Sequence, residues 1–179
     1  MTTPYEKQQT KISIASFNKP SIMTGYNAVN FRILLIEDEP AEANLVKMAL
    51  RENKTQCQLH HVTDGLEALE FLRNGNSENA EFQSPDIILL DVNMPRMNGQ
   101  EFLTEIKSDI NLSYIPVIVF SSADSESEIS TSYQLGAASH IIKPTDMAAF
   151  IDTFRIIDAY WFKLTRLPNK PYSDFVSIE

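Results

Sequence analysis

The chain has 179 residues, with 15 basic against 24 acidic side chains and a formal net charge of −9. That length suits one domain, 43% hydrophobic residues suffice for a core, and the acidic balance speaks against nucleic acid or an anionic membrane as partner, since both call for a basic face. No run of about 18 apolar residues could span a membrane, the polar start lacks the apolar stretch of a signal peptide, and the single Cys57 excludes an internal disulfide, so the expected compartment is the cytoplasm.

Residues 1–30 carry Lys7, Lys11 and Lys19 against Glu6 alone and are rich in Thr, Ser, Asn and Gln, which predicts a flexible extension. The acidity therefore lies in the rest of the chain. From Phe31 the pattern changes. FRILLI (31–36) is a short continuous apolar run, suited to a strand buried on both faces. Pro40 stands at a plausible first helical position, and Leu45, Val46, Ala49 and Leu50 follow at helical spacing. QCQLHHV (56–62) reads as a second strand, Asp64-Gly65 as a turn, and Leu66, Leu69 and Leu72 as a helix to Asn74. His60 and His61 are adjacent in that strand and point to opposite faces, so they read as ordinary strand residues rather than a metal pair. A polar loop occupies 75–85, and DIILLD (86–91) is another buried strand. Phe102, Leu103 and Ile106 mark a third helix. PVIVFS (116–121) is a strand, the polar segment 123–136 a helix ending at Gly136, SHII (139–142) a short strand, and 146 to about 166 one last helix.

Strands alternating with helices imply a parallel sheet covered on both faces. The expected fold is α/β: a flavodoxin-like (βα)5 doubly wound five-stranded parallel sheet of strand order 2-1-3-4-5, over residues 31–167, with 168–179 as a C-terminal tail. In such sheets ligands bind outside the carboxyl ends of the strands. Those ends carry a consistent chemistry. The first ends in Glu37-Asp38, the third in Asp91 and the fourth in Ser121, while the fifth leads into Lys143. Converging carboxylates repel unless a proton, a cation or a metal intervenes, and an all-oxygen set of this kind suits Mg²⁺. A lysine and a hydroxyl beside it could serve the oxygens of a phosphoryl group carried by a carboxylate.

ILLIEDEP (33–40), DIILLDVNMPRMNG (86–99), PVIVFSS (116–122) and LGAASHIIKP (135–144) together resemble the four signatures of a response-regulator receiver domain, in order and spacing, over roughly residues 31–160. The resemblance implies that Asp91 is the phosphoacceptor and that Glu37 and Asp38 are the acidic pair that holds Mg²⁺ with Asp91. It makes Asn93 the residue whose backbone carbonyl completes the metal site, Ser121 the hydroxyl that shifts toward the phosphoryl group, and Lys143 the lysine that pairs with it across a cis Lys143–Pro144 bond. Two positions depart from the pattern. Glu37 stands where many receivers have Asp, and its longer arm still reaches a metal. His140 stands where the family often has Tyr or Phe, either as a switch coupled to Ser121 or as an exposed edge-strand histidine. The loop 75–85, STSYQLGAASHIIKP and DTFRIIDAYWFKLTRLP are similar to small cyanobacterial phytochrome response regulators. Those are receiver-only proteins, phosphorylated by a light-sensing histidine kinase and prone to form homodimers.

The residues after the last strand leave no room for a DNA-binding or catalytic output domain, so output through protein contacts is expected, without nucleic acid or membrane. The last helix carries one apolar stripe (Met147, Phe150, Ile151, Phe154, Ile157, Trp161, Leu164) and a second (Ile156, Tyr160, Leu167). Two stripes exceed what a sheet needs, which points to a homodimer interface including Ile156, Ile157, Tyr160, Trp161 and Leu164. The chain is expected to be a phosphoacceptor rather than an enzyme of turnover, catalysing its own Mg²⁺-dependent phosphorylation and dephosphorylation after a sensor histidine kinase. The alternatives are a pseudo-receiver that binds partners without phosphorylation, and an aspartate-nucleophile phosphatase. The latter usually has a second Asp two residues after the nucleophile, where this chain has Asn93.

Overall fold

The computed structural model describes residues 31–74 and 84–168. The expected extension 1–30, nearly all of the loop 75–85 and the tail beyond Pro168 lie outside the described residues. The elements run β1 (Phe31–Ile36), α1 (Pro40–Glu52), β2 (Cys57–Val62), α2 (Gly65–Asn74), β3 (Ile87–Leu90), α3 (Gly99–Ser108), β4 (Val117–Ser121), α4 (Glu126–Gln134), β5 (Ser139–Ile142) and α5 (Met147–Ile157). A π-helical segment, Asp158–Leu164, continues α5.

All strands are parallel, in the order β2-β1-β3-β4-β5. β1 is an inner strand, pairing Phe31 with Cys57 on β2 and Ile36 with Leu90 on β3. The side chains of β3 and β4 are buried throughout, as continuous apolar runs demand when helices cover both faces. One face packs β1, β3 and β4 against α1 and α5 through Val46, Leu50, Phe120, Phe150 and Phe154. The other packs against α2 and α3 through Leu69, Leu72, Phe102 and Ile106. The order reverses between β1 and β3, and the crevice above that switch point is where such sheets hold ligands.

Local chemistry fixes where the helices start. Pro40 opens α1, whose N-cap Glu39 accepts from the Ala41 amide. A reciprocal capping box, Asn98 with Glu101, opens α3 directly behind the Asp91 loop. Gly99 there has no room for a side chain, because a Cβ would lie 2.3 Å from the Asp91 carbonyl oxygen. Ser125 caps α4 and Asp146 caps α5. α4 is thinly attached, with Ser132 as its one buried residue.

The last helix departs from the expected single α-helix to about 166. From Asp158 the backbone widens, and the Thr165 amide donates to the Tyr160 carbonyl, 2.9 Å away and five residues back. The wider turn brings Phe162 inward, where it stacks on Phe31 with centroids 4.1 Å apart. This corrects the expected interface. Ile157 is 3% exposed and belongs to the core, and Trp161 packs against the same cluster half-buried. Ile156, Tyr160 and Leu164 remain on the surface, at 64%, 50% and 73% exposure. Among the described residues no helix is long and apolar enough to cross a membrane.

Candidate functional site

Three carboxylates meet where the carboxyl ends of β1 and β3 lie side by side. Glu37, Asp38 and Asp91 each offer an oxygen, and these oxygens lie within 4.8 Å of one another. The backbone of Glu37 is fixed from β2 on both polar atoms. Its amide donates to the Val62 carbonyl (3.0 Å), and its carbonyl is 2.9 Å from His61 Nε2. His61 is thus not an ordinary strand residue, because its ring orients the acidic corner. His60, on the opposite face, stacks on Phe71 at 4.0 Å. Asp91 is held by its own loop. Its amide donates to the Ile36 carbonyl (3.0 Å), and its Oδ2 accepts from the Asn93 amide (2.7 Å).

Lys143 enters from the end of β5. Its amide donates to the Ser121 carbonyl at 2.8 Å, which prolongs the β4–β5 ladder and sets Lys143 beside Ser121. Its Nζ donates to Asp91 Oδ1 at 2.8 Å, to Glu37 Oε2 at 2.7 Å and to Glu42 Oε2. The Lys143–Pro144 bond is trans, as are all peptide bonds among the described residues, contrary to the expected cis bond. Trans is favoured at X–Pro by about 0.5–1 kcal/mol. With the bond trans, the ladder bond from Lys143 to Ser121 delivers the lysine side chain to Asp91.

The electrostatics follow from burial. Glu37 and Asp91 are 2% and 6% exposed, and Lys143 is the cation that faces both. Burial is the largest influence on Glu37 and pushes its pKa up to about 7, with Asp91 adding in the same direction, against the pull of Lys143. Burial alone would depress the Lys143 ammonium, but hydrogen bonds to Asp91, Glu37 and Glu42 outweigh it and hold Lys143 above the usual lysine range. The corner carries more negative charge than one ammonium can neutralise. That imbalance, with an all-oxygen donor set, fits a hard divalent cation such as Mg²⁺.

The remaining predicted residues fall around this corner. Asn93 is exposed beside Asp91, its amide already engaged. Ser121 is fully buried at the end of β4, its Oγ accepting from the Ala123 amide at 3.3 Å. His140 is neither exposed nor idle. Its Nδ1 lies 2.9 Å from Ser132 Oγ on α4, and its Nε2 lies 3.3 Å from the Ala123 carbonyl. The ring therefore bridges α4 to the loop that Ser121 begins.

Two features escaped the sequence reading. Glu42, one turn into α1, reaches Lys143; an acid five positions after Glu37 was the available signal. Asp64 is a buried carboxylate that accepts from the Leu66 and Glu67 amides at the start of α2 and pairs with Arg96 of the Asp91 loop. Arg96 does this from a left-handed backbone, φ 64°. Its neighbour Met97 accepts from the Gly65 amide, so the loop after β3 is tied to α2 twice.

A parallel sheet of this order with an acidic corner and a lysine at the end of β5 defines a class. The chain belongs to the response regulator receiver domain family, whose pattern matches residues 33–155. Among individual proteins, response regulator Rcp1 of Synechocystis sp. is 34% identical over 137 residues, which is 76% of this chain and 92% of that protein. The crystal structure of the phosphorylated cyanobacterial phytochrome response regulator RcpA superposes with a TM-score of 0.71 at 36% identity, over 78% of this chain and 99% of that one. The Mn²⁺-bound form of Rcp1 superposes with a TM-score of 0.68 at 32% identity, over 77% and 99%.

Proposed function

We propose that this chain is a stand-alone response regulator of a two-component phosphorelay, in which Asp91 accepts a phosphoryl group from a sensor histidine kinase of phytochrome type. The observation that carries the reading is the Lys143 ammonium 2.8 Å from Asp91 Oδ1, beside the carboxylates of Glu37 and Asp38. An Asp91 oxygen attacks the phosphorus of the donor, a P–O or P–N bond breaks, and the leaving group departs with the bonding electron pair. Lys143 neutralises phosphoryl oxygens as the transfer proceeds, and Ser121 supplies a hydroxyl from the neighbouring strand end. A Mg²⁺ ion held by Glu37, Asp38, Asp91 and the Asn93 carbonyl would supply positive charge to the same oxygens. The phosphoryl group then shifts a population between two arrangements of the loop after β4, read through Ser121 and His140.

Phosphorylation and dephosphorylation are catalysed by the chain itself, and the output is protein contact in the cytoplasm, without nucleic acid or membrane. A homodimer through Ile156, Tyr160 and Leu164 is part of this reading, since three large apolar side chains share one exposed face. The test is intact mass after incubation with Mg²⁺ and a small phosphodonor. One phosphoryl adduct is expected, absent in Asp91→Asn. No adduct on the parent chain would instead favour a pseudo-receiver that binds partners without phosphorylation, and rapid repeated turnover a phosphatase.

A further inference from the structure

An ammonium group has three protons to donate, and Lys143 gives one each to Asp91, Glu37 and Glu42. It has none left for a phosphoryl oxygen. The three acceptors are not equivalent. Asp91 and Glu37 side chains are 6% and 3% exposed, whereas that of Glu42 is 40% exposed. Breaking a buried ion pair strands a charge without water, while an exposed carboxylate is rehydrated at little cost. Glu42 is therefore the partner that Lys143 can release. It also sits in the first turn of α1, where the helix N-terminus favours a fixed negative charge.

We propose that Glu42 is a specificity-determining residue for the phosphodonor: it holds a negative charge on the solvent side of Lys143 and occupies the lysine's third proton, so that the site discriminates against small donors according to their charge. The inference rests on Asp91 being the phosphoacceptor. A small anionic donor approaching Asp91 meets Glu42 at the mouth and must displace it from Lys143. The repulsion scales with donor charge, so a dianion is penalised more than a monoanion. A phosphohistidine delivered by a kinase arrives with a protein surface that supplies its own counter-charges, and escapes much of this penalty.

Two donors separate charge from reactivity. Acetyl phosphate is a dianion at neutral pH; its transfer to Asp91 breaks the P–O bond and releases acetate. Phosphoramidate carries a net single negative charge; its transfer breaks the P–N bond and releases ammonia. Initial rates of adduct formation are measured by intact mass on the full chain, at saturating Mg²⁺, for the parent, Glu42→Gln and Glu42→Asp. Glu42→Gln keeps the size and a hydrogen-bond acceptor but removes the charge. It is expected to raise the acetyl phosphate to phosphoramidate rate ratio about three- to tenfold at low salt, through tighter half-saturation by the dianion. Glu42→Asp keeps the charge and should keep the parent ratio. Magnesium affinity of parent and Glu42→Gln is measured by calorimetry; the lost charge is expected to weaken the dication as it favours the dianion, and both proteins are held at saturating Mg²⁺ so that the rate ratio reports the donor alone. An adduct that forms with an unchanged ratio in Glu42→Gln overturns the role of Glu42 and leaves Asp91 as phosphoacceptor. Absence of any Asp91-dependent adduct on the parent overturns both.

Discussion

At the scale of single residues, the site is built by disparities in burial. Glu37 is enclosed, and burial lifts its pKa from an ordinary 4.5 to about 7 despite the ion pair with Lys143. A group whose folded pKa is raised lends stability that is fully present below its unfolded value and lost as pH rises through the folded value. Glu37 therefore makes the metal-free protein less stable as pH climbs from about 4.5 to 7, by about 3 kcal/mol at most. Urea unfolding in a chelator across that range should show the parent losing stability relative to Glu37→Gln, which keeps the side chain neutral throughout. Parallel curves for the two proteins would show that Glu37 is not raised. The acidic pair at the end of β1 was visible in the sequence because adjacent acids interrupt an apolar strand at its carboxyl end. Glu42 was not, since an acid in the first turn of a helix is ordinary, and only the packing of α1 beside α5 on one face of the sheet brings it to Lys143, just past the end of β5.

At the scale of elements, apolar patterning located the inner strands most directly, because a strand buried on both faces leaves a continuous run such as IILL or VIVFS, whereas the edge strands β2 and β5 are only partly buried. The last helix resisted the same logic. A stripe drawn at α-helical spacing places Ile157, Trp161 and Leu164 together, but the π-helical segment after Asp158 shifts the inward face to Phe162 and leaves Leu164 in solvent. Phe162 anchors that segment on Phe31 at the start of β1. Phe162→Ala should cost about 2 kcal/mol in chemical unfolding, less than a fully enclosed phenylalanine because the ring is half-buried, and should speed amide exchange over Asp158–Leu164 before the rest of α5. Uniform exchange along both would show that the π-helical segment is not anchored separately. α4 shows the opposite arrangement. Its polar sequence and single buried residue leave it held at Ser132 by His140 and at Tyr133, whose hydroxyl accepts from the His140 amide at 3.2 Å.

At the scale of the whole molecule, the surface left by that shift decides what a partner could touch. Ile156, Tyr160 and Leu164 form an apolar face that the core does not use. Light scattering of the full chain is expected to give the mass of a dimer, and the double variant Ile156→Glu with Tyr160→Glu that of a monomer. A monomeric parent at every concentration would remove the homodimer from the proposed function. The sequence by itself determined the order of strands and helices, the parallel sheet and the residues at its carboxyl edge. These depend on local periodicity and on a topology that places every strand end on one side. Tertiary structure decided what runs between elements. It set which carboxylates share the protons of Lys143, how His61 and Arg96 brace the corner, and which side chains of the last helix turn inward. Each of these is a meeting of residues distant in sequence, such as Glu42 with Lys143 or Phe31 with Phe162, and hydrophobic periodicity carries no record of such meetings.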